Sequence, residues 1–104
     1  YDVSIDNESL NANTIKILSC YPNPFNPSIL LKYKIGKRNH VRLDIYNVLG
    51  KKVKSLVEEV QEAGNYYVKW DGNNGFNKPL PSGAYFLRMQ SGEYHMIKKI
   101  TLIK

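Results

Sequence analysis

Two histidines, one cysteine and a scatter of carboxylates are the groups in this 104-residue sequence that could do chemistry. His40 and His95 stand at the starts of apolar-alternating runs, with no second histidine at metal-ligand spacing and no carboxylate set beside them by a motif. Each reads as an exposed histidine at a strand edge. Cys20 is the single cysteine, which excludes an internal disulfide and a cysteine-based zinc site. It reads as a small apolar residue, not a nucleophile. Asp44, Glu58, Glu59 and Glu62 offer carboxylates, but no sequence feature sets two of them across a cleft, as acid–base glycoside hydrolysis requires. There is no glycine-rich phosphate loop after a strand, no Gly-x-Ser-x-Gly and no His-Glu-x-x-His. The run Asp71-Gly72-Asn73-Asn74-Gly75 is oxygen-rich like a calcium loop, yet lacks the alternating ligand ladder and the closing glutamate of an EF-hand. It reads as an asparagine–glycine turn. The expectation is a non-catalytic chain with no metal and no cofactor.

Binding chemistry is the remaining class. The 15 Lys and Arg against 9 Asp and Glu leave a formal charge of +6, which favours approach to phosphorylated glycans, lipid headgroups or nucleic acid. The basic residues are nevertheless dispersed, most of them next to an apolar residue, as the solvent face of a sheet requires. That dispersal argues against a nucleic-acid patch. Only the tail, with Lys98, Lys99 and Lys104, concentrates positive charge. Among the eight tyrosines and three phenylalanines, Tyr46, Tyr67 and Phe86 fall on the outward side of their strands. Such a stripe can be a flat platform for sugar rings, or a set of cross-strand aromatic pairs with no ligand.

The elements that must position these groups are organised around Tyr21-Pro22-Asn23-Pro24-Phe25-Asn26-Pro27. Each proline fixes φ, removes a backbone donor and restricts the residue before it, so this span is a stiff corner that can be neither helix nor central strand. Tyr21 and Phe25 are expected to plug one end of an apolar core. Residues 1–14 are polar and mildly acidic, and read as a linker or loosely held arm ahead of a domain over 15–104. Starting at Tyr1 without methionine or leader, the chain reads as a piece of a longer protein, and it has no apolar run of membrane-spanning length.

A period of two marks the strands. A short first strand feeds the corner. Ile29, Leu31, Tyr33 and Ile35 form a half-buried strand, and Val41, Leu43 and Ile45 form a second, expected to pair with it as a hairpin through Gly36-Lys37-Arg38-Asn39. Asn47-Val48-Leu49-Gly50 is a tight reversal in which Gly50 supplies positive φ. Residues 51–58 fit helix and bulged strand almost equally, and are read as strand because the segment is short and its neighbours are strands. Gln61 to Asn65 is read as a turn, Tyr66, Val68 and Trp70 as an alternating strand, and residues 71–83 as a long loop. Two further strands follow, joined by Ser91-Gly92. About seven strands with turn signals roughly every ten residues predict an all-β, antiparallel immunoglobulin-like sandwich.

In order along the chain stand Tyr21-Pro22-Asn23-Pro24-Phe25-Asn26-Pro27, Val41-Arg42-Leu43-Asp44-Ile45-Tyr46-Asn47-Val48-Leu49-Gly50, Trp70-Asp71-Gly72, Pro81-Ser82-Gly83-Ala84-Tyr85-Phe86 and Lys99-Ile100-Thr101-Leu102-Ile103-Lys104. This set resembles the C-terminal sorting domain of proteins exported by the type IX secretion system. The likeness covers about residues 20–104. Cys20 departs from the polar residue expected before the Tyr-Pro-Asn-Pro motif.

The resemblance implies an immunoglobulin-like domain at the end of a larger cargo protein. The translocon would carry it across the periplasm and outer membrane to the cell surface or medium. A surface sortase would cut in the preceding linker, and the cargo would then be joined to anionic lipopolysaccharide. It also implies that Lys98, Lys99, Ile100, Leu102 and Lys104 form the strand tied to export, an exposed edge that strand addition can read. The corner, Gly50, Trp70-Asp71-Gly72 and Gly83 would be structural. The alternative is an accessory module, either similar to the flagellar hook-cap immunoglobulin-like domain or using Tyr46, Tyr67 and Phe86 to bind glycan.

Overall fold

The computed structural model describes residues 15–104; the expected linker over residues 1–14 lies outside the described residues. Among the described residues there is no helix. The strands are β1 (Ile15–Tyr21), β2 (Ile29–Ile35), β3 (Asn39–Tyr46), β4 (Lys52–Gln61), β5 (Gly64–Trp70), β6 (Gly83–Ser91) and β7 (Tyr94–Leu102). They form two antiparallel sheets, β1-β2-β5 and β4-β3-β6-β7, as an immunoglobulin-like sandwich. The alternation sorts the faces as expected: Ile29, Leu31, Tyr33 and Ile35 of β2 and Val41, Leu43 and Ile45 of β3 are all buried between the sheets. Tyr85, Leu87 and Met89 of β6, with Ile100 and Leu102 of β7, complete the middle of the core.

The expected β2–β3 hairpin does not form. β2 pairs with β1 and β5, whereas β3 pairs with β4 and β6. The connection at 36–38 arches from one sheet to the other. A sandwich buries one face of each strand in both sheets, so an arch and a hairpin carry the same alternation, and the sequence offers no two-residue Asn-Gly or Asp-Gly turn to select the hairpin. The turn expected at 61–65 is tighter: β4 continues to Gln61 and β5 begins at Gly64.

The segment at 51–58 is strand, and its helix-like spacing has a cause. The β3–β4 register shifts twice, with Leu43 opposite Val57 but Asp44 opposite Ser55, and Ile45 opposite Lys54 but Tyr46 opposite Lys52. Leu56 and Val53 are the extra residues of these bulges, so Val53, Leu56 and Val57 all pack against the core despite breaking the period of two.

Candidate functional site

The antiparallel topology gathers the scattered motifs at one end of the sandwich. Tyr21, Leu30 and Lys69 are cross-strand neighbours at the end of one sheet. Tyr46, Lys52, Phe86 and Lys99 are neighbours at the same end of the other. The corner, the Asn47–Gly50 reversal, the loop after Trp70, the Pro81–Gly83 entry to β6 and the end of β7 therefore meet there. Ile15 and the connections at 36–38, 62–63 and 92–93 lie at the opposite end.

The corner docks on the last strand. Phe25 bridges to Leu102 in parallel, with its N–H donating to the Thr101 carbonyl at 2.8 Å and its own carbonyl accepting from the Ile103 N–H at 2.9 Å. Asn23 extends this ladder with its side chain: Oδ1 accepts from the Thr101 N–H at 3.0 Å and Nδ2 donates to the Lys99 carbonyl at 3.4 Å. An amide side chain presents the same donor–acceptor pair as a peptide group, so it stands in for a strand where proline-flanked backbone cannot. The peptide bonds before Pro22, Pro24 and Pro27 are cis.

Phe25 is 1% exposed and heads an aromatic cluster, with its ring 5.5 Å from that of Trp70, which in turn meets Tyr85 edge-on at 5.6 Å. Trp70 Nε1 donates to the Asn73 carbonyl, and the Tyr85 hydroxyl to that of Pro81. These bonds satisfy the polar ends of rings whose bodies are buried. Tyr21 does not join them. It is 74% exposed on the outer face, because the last residue of β1 pairs with Leu30 and faces outward with it. The corner thus contributes one core anchor, not two.

Two of the positive-φ glycines shape the turns at this end. Gly50 has φ +83° and closes the reversal by donating to the Asn47 carbonyl, while Asn47 Oδ1 accepts from the N–H groups of Leu49 and Lys51. Gly72 has φ +80°, and a Cβ there would stand 3.1 Å from the Pro27 carbonyl oxygen, so this turn and the corner interlock. The side-chain oxygens of the 71–78 loop cap its own backbone: Asp71 Oδ1 accepts from Asn73 N–H, and Asn74 Oδ1 from Phe76 and Lys78 N–H. They serve as turn formers.

The residues assigned to export do not share one surface. Ile100 and Leu102 are 0% and 1% exposed, so nothing can touch them while the domain is folded. Lys99 faces outward beside Phe86, whereas Lys98, on the core-facing side of the strand, is exposed at the flank between β7 and β1. There its charge partly offsets the rise that burial imposes on the Cys20 thiol pKa. Lys104 is exposed, and its N–H donates to Ser82 Oγ. β7 is an edge strand, but the corner already covers its edge at Lys99, Thr101 and Ile103. The edge expected to be exposed is thus covered by the corner at these three residues.

The three aromatic platform residues also separate. Tyr46 and Phe86 are register partners on the outside of the four-stranded sheet, while Tyr67 is on the outside of the other, with Lys32 Nζ 5.5 Å from its ring centre. Tyr46 and Phe86 instead line a groove of about 460 Å³ with Asn47, Val48, Gly50, Arg88 and Ile97. Next to it lies a pair that the sequence reading missed. Asp44 is 3% exposed, its Oδ2 is 3.2 Å from the Arg42 guanidinium, and its Oδ1 has no hydrogen-bond partner. Opposite charges two apart on one strand were the available signal. Among the described residues, no cluster of three His, Cys, Asp or Glu could hold a metal, and no helix is long and apolar enough to cross a membrane.

A family model described as the secretion system C-terminal sorting domain matches residues 19–104. No curated protein matches the chain. Among solved structures, dimeric latent PorU from Porphyromonas gingivalis is similar at TM-score 0.70 and 20% identity, covering 86% of this chain and 9% of that one. PorZ from the same organism, an essential bacterial surface component of the type IX secretion system, is similar at TM-score 0.60 and 17% identity, covering 85% of this chain and 11% of that one. At these identities the two likenesses bear on the fold, and the chain spans only a small part of either protein.

Proposed function

Because the chain belongs to the family of type IX secretion system C-terminal sorting domains, we propose that it exports a preceding cargo domain, and that the motif end of the sandwich is what the translocon reads. The observation that carries this reading is the docking of the Tyr21–Pro27 corner on β7, because it joins the motifs farthest apart in the chain into one folded surface. The exposed basic contacts are Lys99 and Lys104 on that surface and Lys98 on the flank beside it, and Ile100 and Leu102 act through the fold that holds them. The cargo attaches by way of Ile15, at the far end, which leaves the motif end free to engage first. Passage through the periplasm, cleavage by a surface sortase in residues 1–14 and transfer to anionic lipopolysaccharide complete the proposed route.

The test is a periplasmic reporter fused ahead of residues 1–104, expressed with and without the type IX machinery. Reporter is expected at the surface or in the medium only when the machinery is present. Deleting Ile100 to Lys104 is a poor probe of recognition, since it removes two core residues. The sharper variant is Lys98→Glu with Lys99→Glu and Lys104→Glu. It should stay folded and lose export, and normal export from it would refute the assignment of the lysines.

The groove beside Tyr46, Phe86 and Arg88 favours a second reading, an accessory module holding a sugar ring. It predicts retention on a polysaccharide column that Phe86→Ala abolishes.

A further inference from the structure

The three strands β1, β2 and β5 contain Lys16, Lys32, Lys34 and Lys69 and no Asp or Glu. Their register sets the outward side chains in three rows: Lys16, Lys34 and Asn65; Ser19, Lys32 and Tyr67; Tyr21, Leu30 and Lys69. Within this face Tyr21 is 74%, Tyr67 61% and Leu30 45% exposed. It is a sheet surface on which lysines interleave with two tyrosines and a leucine. The outer face of the other sheet carries the Arg42–Asp44 pair and the groove.

We infer that this lysine–tyrosine face of the three-stranded sheet docks the domain on an anionic lipid bilayer. Charge complementarity selects an anionic partner, because the three strands offer no carboxylate to repel one. The apolar side chains then select a lipid surface over a soluble polyanion. Tyrosine favours the headgroup level, where its ring is in the acyl boundary and its hydroxyl in water, and an aliphatic Leu30 gains by entering that boundary. A glycan site needs amide and carboxylate partners for sugar hydroxyls around its rings, and this face has only Asn65 and Ser19. A basic cluster gains affinity for anionic lipid with each lysine that reaches the surface, and salt screens the gain. This inference does not depend on the sorting role.

Co-sedimentation of the 104-residue chain with vesicles of phosphatidylcholine, alone or mixed with phosphatidylglycerol, is the test. Binding is expected only to the mixed vesicles, weakening as salt is raised. Lys32→Gln with Lys34→Gln and Lys69→Gln should lower partitioning roughly a hundredfold, while Lys52→Gln with Lys54→Gln and Lys99→Gln, on the other sheet, should change it little. Leu30→Ser with Tyr67→Ser should weaken the binding that survives at high salt. Circular dichroism melts check that each variant is folded, and the wild-type salt dependence stands if one is not. Equal binding to neutral vesicles, equal loss from both lysine sets, or retention on a soluble acidic polysaccharide with none on vesicles would overturn the inference.

Discussion

The two ends of the sandwich are closed by different means. At the motif end, residues far apart in sequence must meet: Asn23 bonds to Lys99 and Thr101, and the rings of Phe25, Trp70 and Tyr85 pack in one buried cluster. At the far end, short connections bring neighbours together, and apart from the stacked rings of Tyr33 and Tyr66, 5.4 Å apart, the ties are polar and largely exposed. There the Arg38 Nε lies 2.7 Å from Glu62, the Tyr66 hydroxyl donates to the Glu62 carbonyl, and only the Tyr33 bond to Gln61 is buried. A short loop closes its end at little entropic cost, whereas a distant meeting needs contacts strong enough to offset that cost. That is why unusual residues concentrate at one end.

If this contrast is right, substitutions at the two ends should differ severalfold in effect. Phe25→Ala should be the most damaging, at about 3–5 kcal/mol, because it empties a buried ring site and frees the corner from β7. A urea midpoint that barely moves would break the comparison. Gly72→Ala comes next, at about 1–2 kcal/mol from the left-handed backbone alone, with added crowding against the Pro27 carbonyl. Asn23→Ala, an exposed residue, should cost about 1 kcal/mol through its two lost bonds, and amide exchange at Thr101 should speed up selectively. At the far end, Arg38→Ala should cost well under about 1 kcal/mol, since both partners of its ion pair are solvated.

Alkaline titration compares the ends in another way, through Tyr85 at the motif end and Tyr33 at the far end. Burial lifts both phenols above their ordinary value of 10.0, with the Gln61 hydrogen bond partly opposing the rise at Tyr33. A raised folded pKa means that the native state keeps protons which the unfolded chain releases. This contribution is therefore whole below pH 10 and is lost as pH climbs through the folded values. The urea midpoint should fall above about pH 10, and Tyr33→Phe or Tyr85→Phe should each remove its own share of that fall.

Much of the fold was legible because burial in a sheet writes itself as alternation. Ile29 to Ile35 and Val41 to Ile45 read correctly on that basis alone, as did the positive φ of Gly50 from its place in a reversal. The candidate site was less legible. The export strand was visible as a string of residues, but not that Ile100 and Leu102 are sealed in the core while Lys98 and Lys99 leave on different sides. Tyr21 looked like an anchor because its ring is large, though its register with Leu30 turns it outward.

By itself, then, the sequence determined the strands, their inward faces, the stiff corner and the family pattern, all consequences of local sterics and of periodicity along the chain. Tertiary structure alone decided which strands pair, since β2 followed by an arch or by a hairpin has the same alternation. It also decided that Asn23 completes the edge of β7 from 76 residues away, and that the lysines of β1, β2 and β5 gather on one side of three strands that hold no carboxylate. Those are matters of register between segments, and register is fixed only when the two sheets close on a common core.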